Sequence, residues 1–155
     1  LGVYPLLKRR CRVIIASDAA ADPGFSMNDL ANVIRKARID LGVNITINLE
    51  GVRPDPQTGL SQRCYAIGDI LYPSTDPAGT KGTLIYIKSA ITKETTEDLL
   101  AYRNKNHSFP DQTTADQFFD EAQFESYRKI GETIALDVFE KPPGDLCISK
   151  DASSA

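Results

Sequence analysis

Ser17 and Asp18, followed by Asp22, put one hydroxyl and two carboxylates directly after a run of β-branched residues. In an α/β sheet, ligands bind beyond the carboxyl ends of the strands, so groups placed there could orient a substrate or brace a neighbouring loop. The plainer role for Asp18 is to cap the strand end or accept bonds from loop amides, and Asp22 follows the same logic more weakly. A serine hydrolase needs its nucleophile on a sharp strand-to-helix turn, written G-x-S-x-G. The nearest text, Gly24-Phe25-Ser26-Met27-Asn28, lacks the second glycine and does not directly follow the strand, so Ser26 reads as a helix cap. His107 is the sole histidine, which leaves a histidine-based metal site without partners. Cys11, Cys64 and Cys147 are odd in number and lack metal-ligand spacing, so they read as buried or free thiols in a reducing compartment. Lys8 to Arg12 and Arg35 to Arg38 could face anionic headgroups, but a helix terminus and a solvated face account for them more simply.

The elements that must position these groups follow from periodicity. Leu1 to Leu7 is apolar and runs into Lys8-Arg9-Arg10, which suits the end of a helix with Pro5 in its first turn. Arg12 to Asp18 predicts a strand buried on both faces, as in a parallel sheet covered by helices. Ala19 to Phe25, with Asp22-Pro23-Gly24, is a loop. Ser26 and Asp29 read as a capping box for a helix carrying Leu30, Val33, Ile34, Ala37 and Leu41, stopped by Gly42. Val43 to Leu49 alternates apolar and polar residues and predicts a half-buried strand. Cys64 to Tyr72 and Gly82 to Lys88 are two more strands, joined by a turn at Pro73 to Gly79, and the three together suggest an antiparallel meander at the sheet edge. A short helix is predicted over Thr96 to Lys105, then a connector from Asn106 to Gln112. A second capping box, Thr114 with Gln117, predicts a long helix from Thr114 to about Phe139 with Ala115, Phe118, Phe119, Ala122, Ile130 and Ile134 on one stripe. Phe124 falls off that stripe; it could contact a membrane or a partner, and packing under a loop is the plainer expectation. Pro142 and Pro143 end the helix, so residues 1–141 form the domain and 142–155 a flexible tail.

Composition sets outer bounds. With 155 residues, 41% hydrophobic and 25% charged, the chain suits one globular domain with a real core. A net charge of −3 argues against a nucleic-acid partner. No apolar run approaches the ~20 residues that span a bilayer, and the first residues carry no signal-peptide pattern.

The opening Leu1-Gly2-Val3-Tyr4-Pro5-Leu6-Leu7, the stretch from Val13 to Pro23, the helix Leu30 to Asp40, the strand Gly82 to Lys88 and the segment Gln112 to Arg128 stand in a telling order. In that order they resemble the C-terminal portion of bacterial patatin-like phospholipases. The resemblance spans nearly the whole chain, and the Gln112 to Arg128 segment is its most specific part. It implies an α/β domain of three layers, α/β/α, of which this chain is the C-terminal part, with a mixed sheet and an antiparallel edge. It also implies a lipid acyl hydrolase using a Ser-Asp dyad, with phospholipid or another lipid ester as substrate and no cofactor. None of the family's G-x-S-x-G elbow, glycine-rich oxyanion loop and D-G-[GA] motif lands in this chain, and in the family's pattern D-G-[GA] stands a few residues before a segment like Leu1-Gly2, so no catalytic residue is expected here and this chain alone is expected to be inactive. Its partner would be the N-terminal remainder of the same domain, and the complete protein would be cytoplasmic or membrane-associated, with a possible peripheral membrane contact. Ser17, Asp18 and Asp22 would then stand beside the substrate. The rival expectation is a non-catalytic module binding a small molecule or a protein around the same three residues.

Overall fold

The computed structural model describes residues 2–75, 81–113 and 115–140. Its elements run α1 (Val3–Lys8), β1 (Val13–Asp18), α2 (Asn28–Leu41), β2 (Asn44–Ile47), β3 (Tyr65–Leu71), β4 (Lys81–Lys88), α3 (Glu97–Lys105) and α4 (Glu121–Phe139). One four-stranded mixed sheet has the order β1-β4-β3-β2. β1 is parallel to β4, while β4, β3 and β2 form an antiparallel meander. The fold is therefore α/β with an antiparallel edge, in line with the alternating pattern of β2 and the strands expected over β3 and β4.

The even-numbered residues of β1 and β4 make the core face. Ile14, Ala16, Leu84 and Tyr86 are buried; α1 packs on β1 and on α2, and α2 packs on β2. The helix read over α2 forms, with Leu30 and Ala37 fully buried. Gly42 ends it at φ 65°, a left-handed conformation that glycine adopts without penalty, and the Val43 N–H closes the turn onto the Ala37 carbonyl. Gly68 is required for another reason: a Cβ there would lie 2.9 Å from both the Ile47 Cβ and the Thr46 carbonyl oxygen on the neighbouring strand.

Four expectations are corrected. β1 is not buried on both faces: it is an edge strand, and Val13 and Ile15 are each 50% exposed. A continuous apolar run cannot say which face finds a cover, and here only one does. Ser26 does not cap α2. Met27 stands at the N-cap in a left-handed conformation, and the carboxylate of Asp22 binds the Ser26 and Met27 amides instead. The last helix begins only at Glu121, where Asp120 accepts a bond from the Gln123 N–H. Upstream of it, Thr113 and Asp116 bond the Ala115 and Phe118 amides and hold the backbone out of helix. Ala115, Phe118, Phe119 and Ala122 are consequently exposed, and the buried stripe of α4 is Gln123, Ser126, Ile130, Ile134 and Val138. Phe124 is 62% exposed rather than packed under a loop, because its side of α4 meets no covering segment among the described residues. Thr114, most of the turn ending at Gly79, Cys147 and the predicted tail from Pro142 lie outside the described residues.

Candidate functional site at the carboxyl ends of β1 and β4

Asp18 and Lys88 are register partners at the last positions of two parallel strands. Both continue the inward phase of their strands, so their charged groups are carried into the interior, where a charge must be paired. Lys88 is fully buried and Asp18 is 5% exposed. The Lys88 ammonium donates to the Ala20 carbonyl at 2.8 Å and lies 3.8 Å from Asp18 Oδ1 and 3.7 Å from Asp111 Oδ1. Asp18 accepts from the Tyr86 hydroxyl at 2.6 Å through Oδ2 and from the Ala20 amide at 3.0 Å through Oδ1. Tyr86 is buried two residues before Lys88, and its hydroxyl also approaches the Met27 sulfur at 3.4 Å. Burial first, and then the Asp18 carboxylate, push the Tyr86 hydroxyl far above its ordinary pKa, so it stays a donor. Asp111 comes from the connector after α3, and its Oδ1 accepts no hydrogen bond among the described residues. Burial raises its pKa, and the opposing attraction of Lys88 does not cancel that effect.

Asp22 sits in the loop above. It accepts the Ser26 hydroxyl at 2.7 Å and the Ser26 N–H at 3.0 Å through Oδ1, and the Met27 N–H at 2.8 Å through Oδ2. Burial would raise its pKa, but these bonds outweigh it and hold the carboxyl below the usual aspartate range. Arg53 locks the same loop by donating to the Phe25 carbonyl at 2.6 Å. A cavity of about 220 Å³ opens beside it, lined among others by Asp18, Asp22, Ser26, Met27 and Asp29.

Of the residues singled out in the sequence, the structure brings Asp18 and Asp22 to this cavity and leaves Ser17 apart. Ser17 is exposed on the opposite face of β1, in phase with Val13 and Ile15. Ser26 and Asp22 do form a hydroxyl–carboxylate pair, yet its chemistry is that of a brace. A general base works best with its pKa near the operating pH, and this carboxylate is shifted the other way and saturated by three donors. Sequence reasoning missed Tyr86, Lys88 and Asp111. A signal existed for Lys88: it is the one cation in phase with the apolar residues Leu84 and Tyr86 of its strand. Asp111 carried none, because its connector has no period. His107 is exposed on the same connector.

Cys64 is buried and donates to Asp137 at 3.5 Å; burial, then the Asp137 charge, raises its thiol to about 12, which suppresses the thiolate. Among the described residues, no cluster of three His, Cys, Asp or Glu side chains could hold a metal ion, and no helix is long and apolar enough to cross a membrane. The arrangement can brace the segments that follow β1 and α3 at the carboxyl ends of β1 and β4. Comparison of the chain with protein-family models, curated proteins and solved structures gives no match.

Proposed function

We propose that this chain is the C-terminal portion of a patatin-like lipid acyl hydrolase, a three-layer α/β/α domain whose nucleophilic serine and general-base aspartate lie in the N-terminal remainder. The observation that carries the reading is the state of β1. It is a parallel edge strand with Val13 and Ile15 half exposed, whereas parallel strands are ordinarily covered on both faces. The resemblance of the Gln112 to Arg128 segment and of the β1 strand and loop supports the choice of family. In the complete domain the serine attacks the ester carbonyl of a phospholipid or another lipid ester, and the aspartate takes its proton. The part of this chain is structural: Asp18, Tyr86 and Lys88 fix the loop from Ala19 to Met27 as one wall of the acyl site, with Asp22 holding its turn. A peripheral membrane contact belongs to the same proposal.

The test is hydrolysis of a short-chain nitrophenyl ester. This chain alone is expected to leave the ester intact, and the polypeptide extended by its encoded upstream residues is expected to turn it over. Turnover by the isolated chain that is abolished by Ser26→Ala or Ser17→Ala would overturn the proposal. A second reading, a non-catalytic binding module, is favoured by the cavity beside Asp18 and Asp22. An upstream sequence without G-x-S-x-G and D-G-[GA] motifs would select it.

A further inference from the structure

The free edge of β1 has a direction and a phase, and both identify what it fits. In a parallel ladder each residue points its N–H and C=O to the same side, alternating along the strand. The Arg12 carbonyl accepts from the Thr83 N–H, so Arg12, Ile14, Ala16 and Asp18 face β4. Val13, Ile15 and Ser17 therefore turn both backbone groups outward, on the flank that no strand occupies among the described residues. The same three side chains form the uncovered face of β1.

Topology then fixes the occupant. β2 is antiparallel to β3, which is antiparallel to β4, so β1 and β2 run parallel and α2 is the crossover between them. This crossover travels over the core face from β1 toward β4 and beyond. α1 contacts both β1 and α2, with Val3 and Leu7 in the shared core, so it lies on the same face. Crossovers between parallel strands of one sheet share one hand. A crossover through α1 must therefore travel in the same direction and arrive at β1 from the flank opposite β4. We infer that the outward edge of β1 seats a parallel strand of apolar character, which leads directly into α1. It would pair with Val13, Ile15 and Ser17 and extend the apolar surface of Val13 and Ile15. This rests on the proposal that the chain is part of a larger domain, and it names which flank and which polarity the remainder takes.

Amide hydrogen exchange, read residue by residue by NMR, tests it. In the isolated chain the amides of Val13, Ile15 and Ser17 are expected to exchange rapidly, while Ile14 and Ala16 are protected. In the polypeptide extended by its encoded upstream residues, the first three are expected to slow by about a hundredfold or more. If the joined polypeptide is insoluble, the upstream segment is supplied as a separate chain and the same amides are read in the mixture. Fast exchange there, or absence of a complex, overturns the inference. So does protection already present in the isolated chain together with a dimeric size, since the occupant is then a second copy. Ester hydrolysis is scored separately. Protection without hydrolysis leaves the strand in place and removes the hydrolase, and hydrolysis without protection does the reverse.

Discussion

The two faces of β1 live in different solvents although they alternate along one six-residue strand. On the inner face, Ile14 and Ala16 are buried on the side where α1 packs, and Asp18 enters a charged cluster with Tyr86 and Lys88. On the outer face, Val13 and Ile15 are half exposed and Ser17 is exposed. The side chains are chemically alike; the difference is the presence of a partner. Burial is thus a property of what packs around a strand and not of the strand's own residues.

Substitutions can sharpen that contrast. The largest effect is expected at the charged end of the inner face. Lys88→Met keeps the stem volume but leaves Asp18 and Asp111 buried without a cation, and should cost about 3–5 kcal/mol in urea denaturation. A loss below about 1 kcal/mol would mean that water, not Lys88, satisfies the carboxylates. Next come paired truncations of neighbours on the two faces. Ile14→Ala should destabilise by about 2–5 kcal/mol, and Ile15→Ala by about 1 kcal/mol, in keeping with its half exposure. Equal losses would break the comparison, because they would imply a cover over the outer face. The smallest effect is a pH slope. Asp111 has a raised folded pKa, so the folded state holds an extra proton in the window just above the ordinary aspartate range. Its contribution to stability falls as pH rises through that window and is level above it. Measured against Asp111→Asn, the parent chain should lose ground across the window. Asp22, with a lowered folded pKa, contributes the opposite slope, with stability that is lost on acidification.

Regular periodicity was legible. The helical stripe of α2, its glycine stop, the alternation of β2 and the strands expected over β3 and β4 all correspond to formed elements. Local polar competition was not. Asp22 takes the capping role that Ser26 seemed suited for, since a carboxylate reaching two consecutive amides outdoes a hydroxyl reaching one. Thr113 and Asp116 likewise delay α4 by bonding their own neighbourhood, which moves Phe118 from an expected core stripe to 95% exposure. At the candidate site, Asp18 and Asp22 could be picked out by position after a strand. Tyr86 looked like an ordinary strand residue, Lys88 stood out only by its phase, and the parallel pairing of β1 with β4 is what reveals that they face Asp18.

The single bond from Lys88 to the Ala20 carbonyl has a mechanical consequence. One ammonium, rooted in β4, grips the rim segment that follows β1 and attracts Asp111 on the segment that follows α3. Neither segment can lift away without stranding a charge that the other also needs. The rim should hinge as one piece or stay shut, and a mouth at this end would widen by moving both lips together.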